Sequence, residues 1–166
     1  MIPQRIVEET LTRFLAQHYG EIGAGKVVPF IPQNGLIEVA VPKNLADDRE
    51  VMTLTVRGCS LEDEGIFDGD VLICRLRFSW SEIDENTICA VFIHSTGELC
   101  AKKIIREANM LTLRASGGGI PDKQYSPDEI EIKAIAYDHQ RPLTRRPTAK
   151  RIVKAFSRRR VIEFSR

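Results

Sequence analysis

The sequence predicts a mainly β protein: a compact, mostly antiparallel β domain with an N-terminal helix, a mobile extended arm and a basic C-terminal helix. Three observations carry that prediction. Six apolar segments of strand length follow one another: "VMTLTVR", "DVLICRLRF", "TICAVFIH", "ELCAKKII", "MLTLRAS" and "EIEIKAIAY". They follow at short spacing with no long helix between them, which argues against a parallel α/β sheet. Ser95, Thr96 and Gly97 join the third segment to the fourth, a connection as tight as a hairpin's.

Taken in chain order, residues 1–19 show helical spacing. Ile6, Val7, Leu11, Phe14 and Leu15 fall on one stripe between Pro3 and Gly20, which predicts a single amphipathic helix ended by glycine. Residues 20–44 hold three internal prolines, an Asn-Gly turn signal and β-branched runs, so they read as an extended arm broken by turns. Residues 45–140 hold the six strands. The tail, 141–166, places Ile152, Val153 and Phe156 at helical spacing behind Pro147, a residue suited to the first turn of a helix.

Charge separates that tail from the rest. The 166-residue chain has a net charge of +1, yet its last 26 residues hold ten Lys or Arg against one Glu, leaving 14 basic against 22 acidic groups before them. A segment of that kind attracts phosphate backbones through counterion release, or docks on an acidic protein surface. No aromatic array or zinc-ligand spacing accompanies it, so a docked or solvated helix is the plainer expectation.

Composition narrows the class further. A chain that is 43% hydrophobic and 28% charged is ordinary for a globular domain. The longest apolar runs fall well short of the roughly 20 residues a membrane-spanning helix needs, and the N-terminus has no signal-peptide apolar region. The expected location is cytoplasmic, with no membrane contact. Cys59, Cys74, Cys89 and Cys100 form no CxxC pair, which argues against a zinc or redox motif. All four read as reduced core residues, three of them inside apolar runs.

Two positions carry chemistry. In "RGCSLEDEGIFDGDVLIC", Ser60 stands before an acidic, glycine-bearing turn. The plain reading is a cap, because Ser is favoured at turns and helix starts. The alternative is a nucleophile, and a serine hydroxyl at neutral pH needs a general base, either a His or a neutral Lys. His18, His94 and His139 all read as surface residues. In "GELCAKKIIRE", however, two lysines interrupt an apolar strand whose alternation puts Lys102 on one face and Lys103 on the other. One ammonium must then point inward, or the strand must run along an edge where lysines block aggregation. Burial disfavours the charged form of a lysine and leaves an amine able to take a hydroxyl proton. Periodicity does not choose between the two.

The Ser60 region resembles the nucleophile element of the LexA and UmuD family of Ser-Lys autoproteases. Gly58, Ser60, Gly65, Ile66, Asp68, Gly69 and Asp70 match its Gly-x-Ser and Gly-Ile-x-Asp-Gly-Asp pattern; Cys59 replaces the usual Asp and Leu61 the usual Met. "CAKKII" resembles the family's lysine strand, and that likeness assigns the general base to Lys102. "YGEIGAGKV" is similar to the family's self-cleavage segment, with Ala24-Gly25 lying 35 residues before Ser60.

The resemblance implies a LexA/signal-peptidase-like β domain that needs no cofactor and no metal. It implies a serine endopeptidase that cleaves its own arm between Ala24 and Gly25, with Ser60 as nucleophile, Lys102 as base, and the backbone N–H groups of Cys59 and Ser60 around the oxyanion. It further implies a homodimer, activation by a RecA filament on single-stranded DNA, and work in the DNA-damage (SOS) response, including translesion synthesis with an error-prone DNA polymerase. A single N-terminal helix is too little for a DNA-binding domain, so the chain looks nearer to UmuD than to a LexA repressor. The alternatives are the peptidase half of a phage-type repressor or its antagonist, and a non-catalytic dimerisation module whose tail binds nucleic acid or an acidic protein. Signal peptidases share the Ser-Lys logic but work from a membrane anchor, which this sequence gives no sign of.

Overall fold

Alternating inward apolar side chains build most of the molecule into one sheet. The computed structural model describes residues 10–117 and 119–142 and the strand at 153–156. In chain order the elements are β1 (Leu11–Gly23), β2 (Gly35–Pro42), a short helix α1 (Lys43–Asp48), β3 (Val51–Arg57), β4 (Val71–Arg75), β5 (Cys89–Ile93), β6 (Glu98–Glu107), β7 (Met110–Arg114), β8 (Lys123–Tyr125), β9 (Ile130–Pro142) and β10 (Val153–Phe156). All six predicted strands are present, as β3, β4, β5, β6, β7 and β9. The Ser95–Gly97 connection makes the β5–β6 hairpin, closed by the Gly97 N–H donating to the Ile93 carbonyl at 2.9 Å.

The strand order is β2-β1-β3-β4-β9-β5-β6-β7-β8, with β10 on β9. One further pairing, Gly23 with Cys100, joins β1 to β6 and closes β1, β3, β4, β9, β5 and β6 into a ring. Closure of this kind removes free edges along the ring. The main core lies inside, around Ile22, Leu54, Val56, Leu61, Leu72, Leu99 and Ala101. A second cluster packs Ala16, Val39, Val41, Val51 and Ile73 beside α1, and a third joins Cys89, Val91, Ile104, Leu111 and Ile135. Among the described residues no helix is long and apolar enough to cross a membrane.

Where the two expected helices fall on described residues, the chain is strand. Leu11–Tyr19 belongs to β1, paired antiparallel with β2 from Leu11 to His18 and parallel with β3 from Gln17 to Gly23. The predicted stripe fails because its members do not share a face: Phe14 packs on the second core cluster, whereas Leu15 is 59% exposed. Pairing on both sides satisfies the backbone of β1, and that tertiary context outweighs local helical spacing. The part of the expected helix before Thr10 lies outside the described residues. In the tail, Val153–Phe156 is extended and pairs with His139–Pro142. Its site exists because β5 leaves β9 at Ile135, freeing that side of β9 for a new strand. The rest of the expected C-terminal helix also lies outside the described residues.

The arm is extended, as expected, and it is laid along the body. The Ala24 N–H donates to the Arg57 carbonyl (2.6 Å), the Leu99 N–H to Val28 (3.3 Å), and the Phe30 N–H to Gly97 (3.0 Å). α1, within a stretch that carries no strong helical signal, ends at Arg49 in a left-handed conformation.

Candidate functional site

β3 ends at Arg57, and the chain turns through Gly58 and Cys59 into Ser60. Three features fix that turn. Leu61, 1% exposed, plugs into the main core and anchors the segment just past the serine. Residues Glu62–Glu64 follow as a single 3-10 turn. The Gly58 N–H donates to Asp68 Oδ1 at 2.8 Å, tying the turn to the acidic loop that leads into β4. That loop is itself latched: Asp70, almost wholly buried, accepts from the Phe67 N–H (2.9 Å) and from Arg141 Nε and Nη2 (3.1 and 3.2 Å). The guanidinium of Arg141 also lies 4.5 Å from the centre of the Phe67 ring.

Ser60 is 1% exposed, and its Oγ has no hydrogen-bond partner among the described residues. The capping reading therefore fails, because the hydroxyl satisfies no neighbouring backbone group. A buried unpartnered hydroxyl costs roughly 1–3 kcal/mol and asks for an explanation. Its backbone supplies one: the Ser60 N–H donates to the carbonyl oxygen of Ala24 at 3.0 Å. Cys59 N–H makes no such bond.

The segment Gly23–Lys26 thus lies across Ser60. Gly23 is held on one side by Arg57 of β3 and on the other by Cys100 of β6. Ala24 is fully buried. Gly25 has φ +81°, and a methyl built on it would stand 3.4 Å from Ser60 Oγ and 2.6 Å from Ile120 Cδ1. Gly58 has φ +109°, and a methyl there would meet the Ala24 carbonyl oxygen at 2.2 Å. Both positions favour glycine: each has a positive φ, and a methyl would press on the Ala24 backbone at Gly58 and on the Ile120 and Ser60 side chains at Gly25.

The lysines separate clearly. Lys103 is ion-paired with Glu64. Lys102 is half-buried, carries no ion pair or hydrogen bond among the described residues, and lines a small cavity of about 140 Å³ together with Gly25, Cys100, Ile120, Lys123 and Tyr125. β6 runs between β5 and β7, so the edge-strand reading of these lysines is incorrect. Gly25 therefore touches both Ser60 and the cavity of Lys102, although Ser60 Oγ and Lys102 Nζ are not hydrogen-bonded to each other.

Other expectations need correction. Cys59 is exposed and not a core residue, because the turn points it away from the body; Cys74, Cys89 and Cys100 are buried, and all four are free thiols. Burial pushes Cys89 and Cys100 up to about 12. Of the three histidines only His94 is exposed. His139 is buried, and His18 is half-buried with Nδ1 2.9 Å from Thr53 Oγ1 and Nε2 3.3 Å from Thr55 Oγ1. Burial lowers the pKa of His18, against an opposing pull from Glu21.

Sequence reasoning passed over the Arg57 carbonyl, which holds Ala24, and the loop through Gly117 and Ile120, which covers the site. A methyl on Gly117 would press on Asp63 Oδ2 at 2.6 Å and approach the Ser60 carbonyl at 3.6 Å. The glycine-rich "SGGGI" was the available signal.

A family profile, Peptidase S24-like, matches residues 17–137. LexA repressors of Gluconobacter oxydans (strain 621H) and Ruegeria sp. (strain TM1040) are each 30% identical to this chain over 115 residues, covering 69% of it and 46% of the relative. The LexA repressor of Pelagibacter ubique (strain HTCC1062) is 27% identical over 116 residues, covering 70% and 49%. The chain spans about half the length of the curated relatives it matches.

Proposed function

Because the chain belongs to the Peptidase S24-like family, we propose that it is a self-cleaving serine endopeptidase that cuts its own Ala24–Gly25 bond with a Ser60–Lys102 dyad. The observation that carries this reading is the hydrogen bond from the Ser60 N–H to the Ala24 carbonyl at 3.0 Å, with an unpartnered serine hydroxyl on the same residue. A donor aimed at the carbonyl of the bond to be broken stabilises the oxyanion formed on attack.

The Ser60 hydroxyl adds to the Ala24 carbonyl carbon while its proton passes to the free amine of Lys102. Collapse of the tetrahedral adduct breaks the C–N bond, and the proton moves from Lys102 to the Gly25 nitrogen, which leaves as a new amino terminus. A water molecule, deprotonated by Lys102, then hydrolyses the Ala24 ester, restoring the Ser60 hydroxyl and leaving a carboxylate on Ala24. The Ser60 N–H already bonded to the Ala24 carbonyl is one oxyanion donor, and by the family likeness the Cys59 N–H is the second.

Ser60 and Lys102 must still close on each other for proton transfer. That closure gives an activator something to favour, as a population shift toward the bonded dyad. By the family likeness the activator is a RecA filament on single-stranded DNA, the active unit is a cytoplasmic homodimer, and the cut switches a DNA-damage function, with an error-prone DNA polymerase as a candidate partner. Residues 141–166 add a basic contact for nucleic acid or an acidic protein.

The test is incubation of the purified chain at alkaline pH, where more of the lysine is free amine. A fragment ending at Ala24 is expected, and none from Ser60→Ala or Lys102→Ala, while Lys103→Ala still cleaves. An intact wild-type chain, with and without RecA filament, favours a non-catalytic module instead.

A further inference from the structure

Cleavage after Ala24 would sever the chain one residue past the end of β1, and β1 is not a dispensable appendage. It lies inside the sheet between β2 and β3, with eight paired positions on the first and five on the second. It contributes to two cores: Tyr19 and Ile22, with Ala24 just past its end, to the main cluster, and Phe14 and Ala16 to the cluster beside α1. Ala16, Ile22 and Ala24 are fully buried. Side chains bind it as well. Glu21 accepts from Arg57 Nε and Nη2 (2.9 and 3.3 Å), and His18 sits against Thr53 and Thr55. β2, the outermost strand at that end of the sheet, reaches it only through β1 among the described residues.

None of these contacts depends on the Ala24–Gly25 peptide bond. We infer that self-cleavage yields a nicked protein in which the fragment ending at Ala24 stays in place as β1, so that hydrolysis and strand release are separate events. The inference rests on the cleavage reading above. Release, not the cut, would strip β2 of its sheet partner β1, uncover Val39, Val41 and Leu54, and free the backbone edge of β3 from Met52 to Arg57. That edge is an acceptor for an extended strand running parallel to β3, and until release it is occupied by the protein's own fragment.

Two preparations test this separately from the chemistry. Wild-type chain is incubated at alkaline pH until a denaturing gel shows two pieces, then passed over a size-exclusion column at neutral pH and micromolar concentration. In parallel, a Ser60→Ala chain carrying a specific-protease recognition sequence inserted after the exposed Lys26 is cut with that protease. Co-elution of both pieces in equal amounts, and their separation only in denaturant, is expected in both. A fragment eluting alone from either preparation overturns the proposal. Absence of pieces in the wild type, with co-elution in the protease-cut chain, counts against self-cleavage and leaves strand retention supported. Nicked Ile22→Ala is expected to lose its fragment more than about tenfold faster, since truncating a buried isoleucine is costly. Leu15→Ala, at an exposed site, is expected to match the wild type. If Ile22→Ala fails to fold, Glu21→Gln, which breaks the Arg57 pair, serves instead. An unchanged release rate in the variant used contradicts strand retention through these contacts.

Discussion

Gly58→Ala isolates the docking of the Ala24–Gly25 bond proposed to be cut. The added methyl carbon would stand 2.2 Å from the Ala24 carbonyl oxygen and 2.9 Å from its carbon, and both are backbone atoms that no rotamer change can move aside. A carbon–oxygen contact relaxes only near about 3.3 Å, so the Ala24 carbonyl must withdraw by about 1 Å. That takes it out of hydrogen-bond range of the Ser60 N–H, now at 3.0 Å. Loss of one oxyanion donor, or a misplacement of that size, costs about 10²- to 10³-fold in rate. The φ of +109° adds strain of about 1–3 kcal/mol to the fold. Gly97→Ala is the matched control: its φ is also positive, +69°, but nothing lies within 4 Å of the added methyl. It should lose about 1–2 kcal/mol of stability and keep its cleavage rate. The assay is the first-order disappearance of intact chain at fixed alkaline pH, with urea unfolding run beside it. Cleavage of Gly58→Ala within a few-fold of wild type would refute the docking argument, as would an equal loss of rate in Gly97→Ala.

Other outcomes follow from the same geometry. Gly25→Ala should slow cleavage because its methyl meets Ile120 Cδ1 at 2.6 Å, and Ile120→Ala should restore part of the rate in the double variant by vacating that contact; no rescue would place the obstruction at Ser60. His18 titrates below its ordinary value in the folded chain, so at intermediate pH the unfolded chain binds more protons and stability rises with pH. The contribution of neutral His18 is therefore full above the unfolded value near 6.5 and falls away as pH drops through it. Urea midpoints between pH 7.5 and 5.5 should decline more for wild type than for His18→Gln, and parallel declines would contradict the assignment. A thiol reagent at about pH 8, below the raised values of the buried thiols, should label Cys59 rapidly and Cys74, Cys89 and Cys100 only after denaturation.

Local patterning made much of the fold legible. β3 carries β-branched residues throughout, β5 and β6 are joined by four residues, and each predicted strand lies where its apolar run does. β1 was misread because Leu11, Phe14 and Leu15 happen to fall three and four apart, and nothing in that spacing reveals that Leu15 faces outward. β10 was misread for a similar reason: its extended state depends on the side of β9 that β5 leaves open, a contact remote in sequence. The Gly23–Cys100 bridge that closes the ring was equally invisible, since it joins residues far apart in the chain with no side-chain signature. In the site, motif likeness picked out Ser60, Ala24 and Gly25, and the structure brings those three together. Alternation alone left Lys102 and Lys103 open and motif likeness pointed to Lys102; the ion pair of Lys103 with Glu64 is a tertiary contact that neither signal contains.

The most direct test is the half-time of self-cleavage as protein concentration is lowered a hundredfold at fixed pH. The bond proposed to be cut already lies against Ser60 of its own chain, so the account predicts one constant half-time across the series. A half-time that lengthens in proportion to dilution would mean that the bond is cut by another molecule, and the account would be wrong.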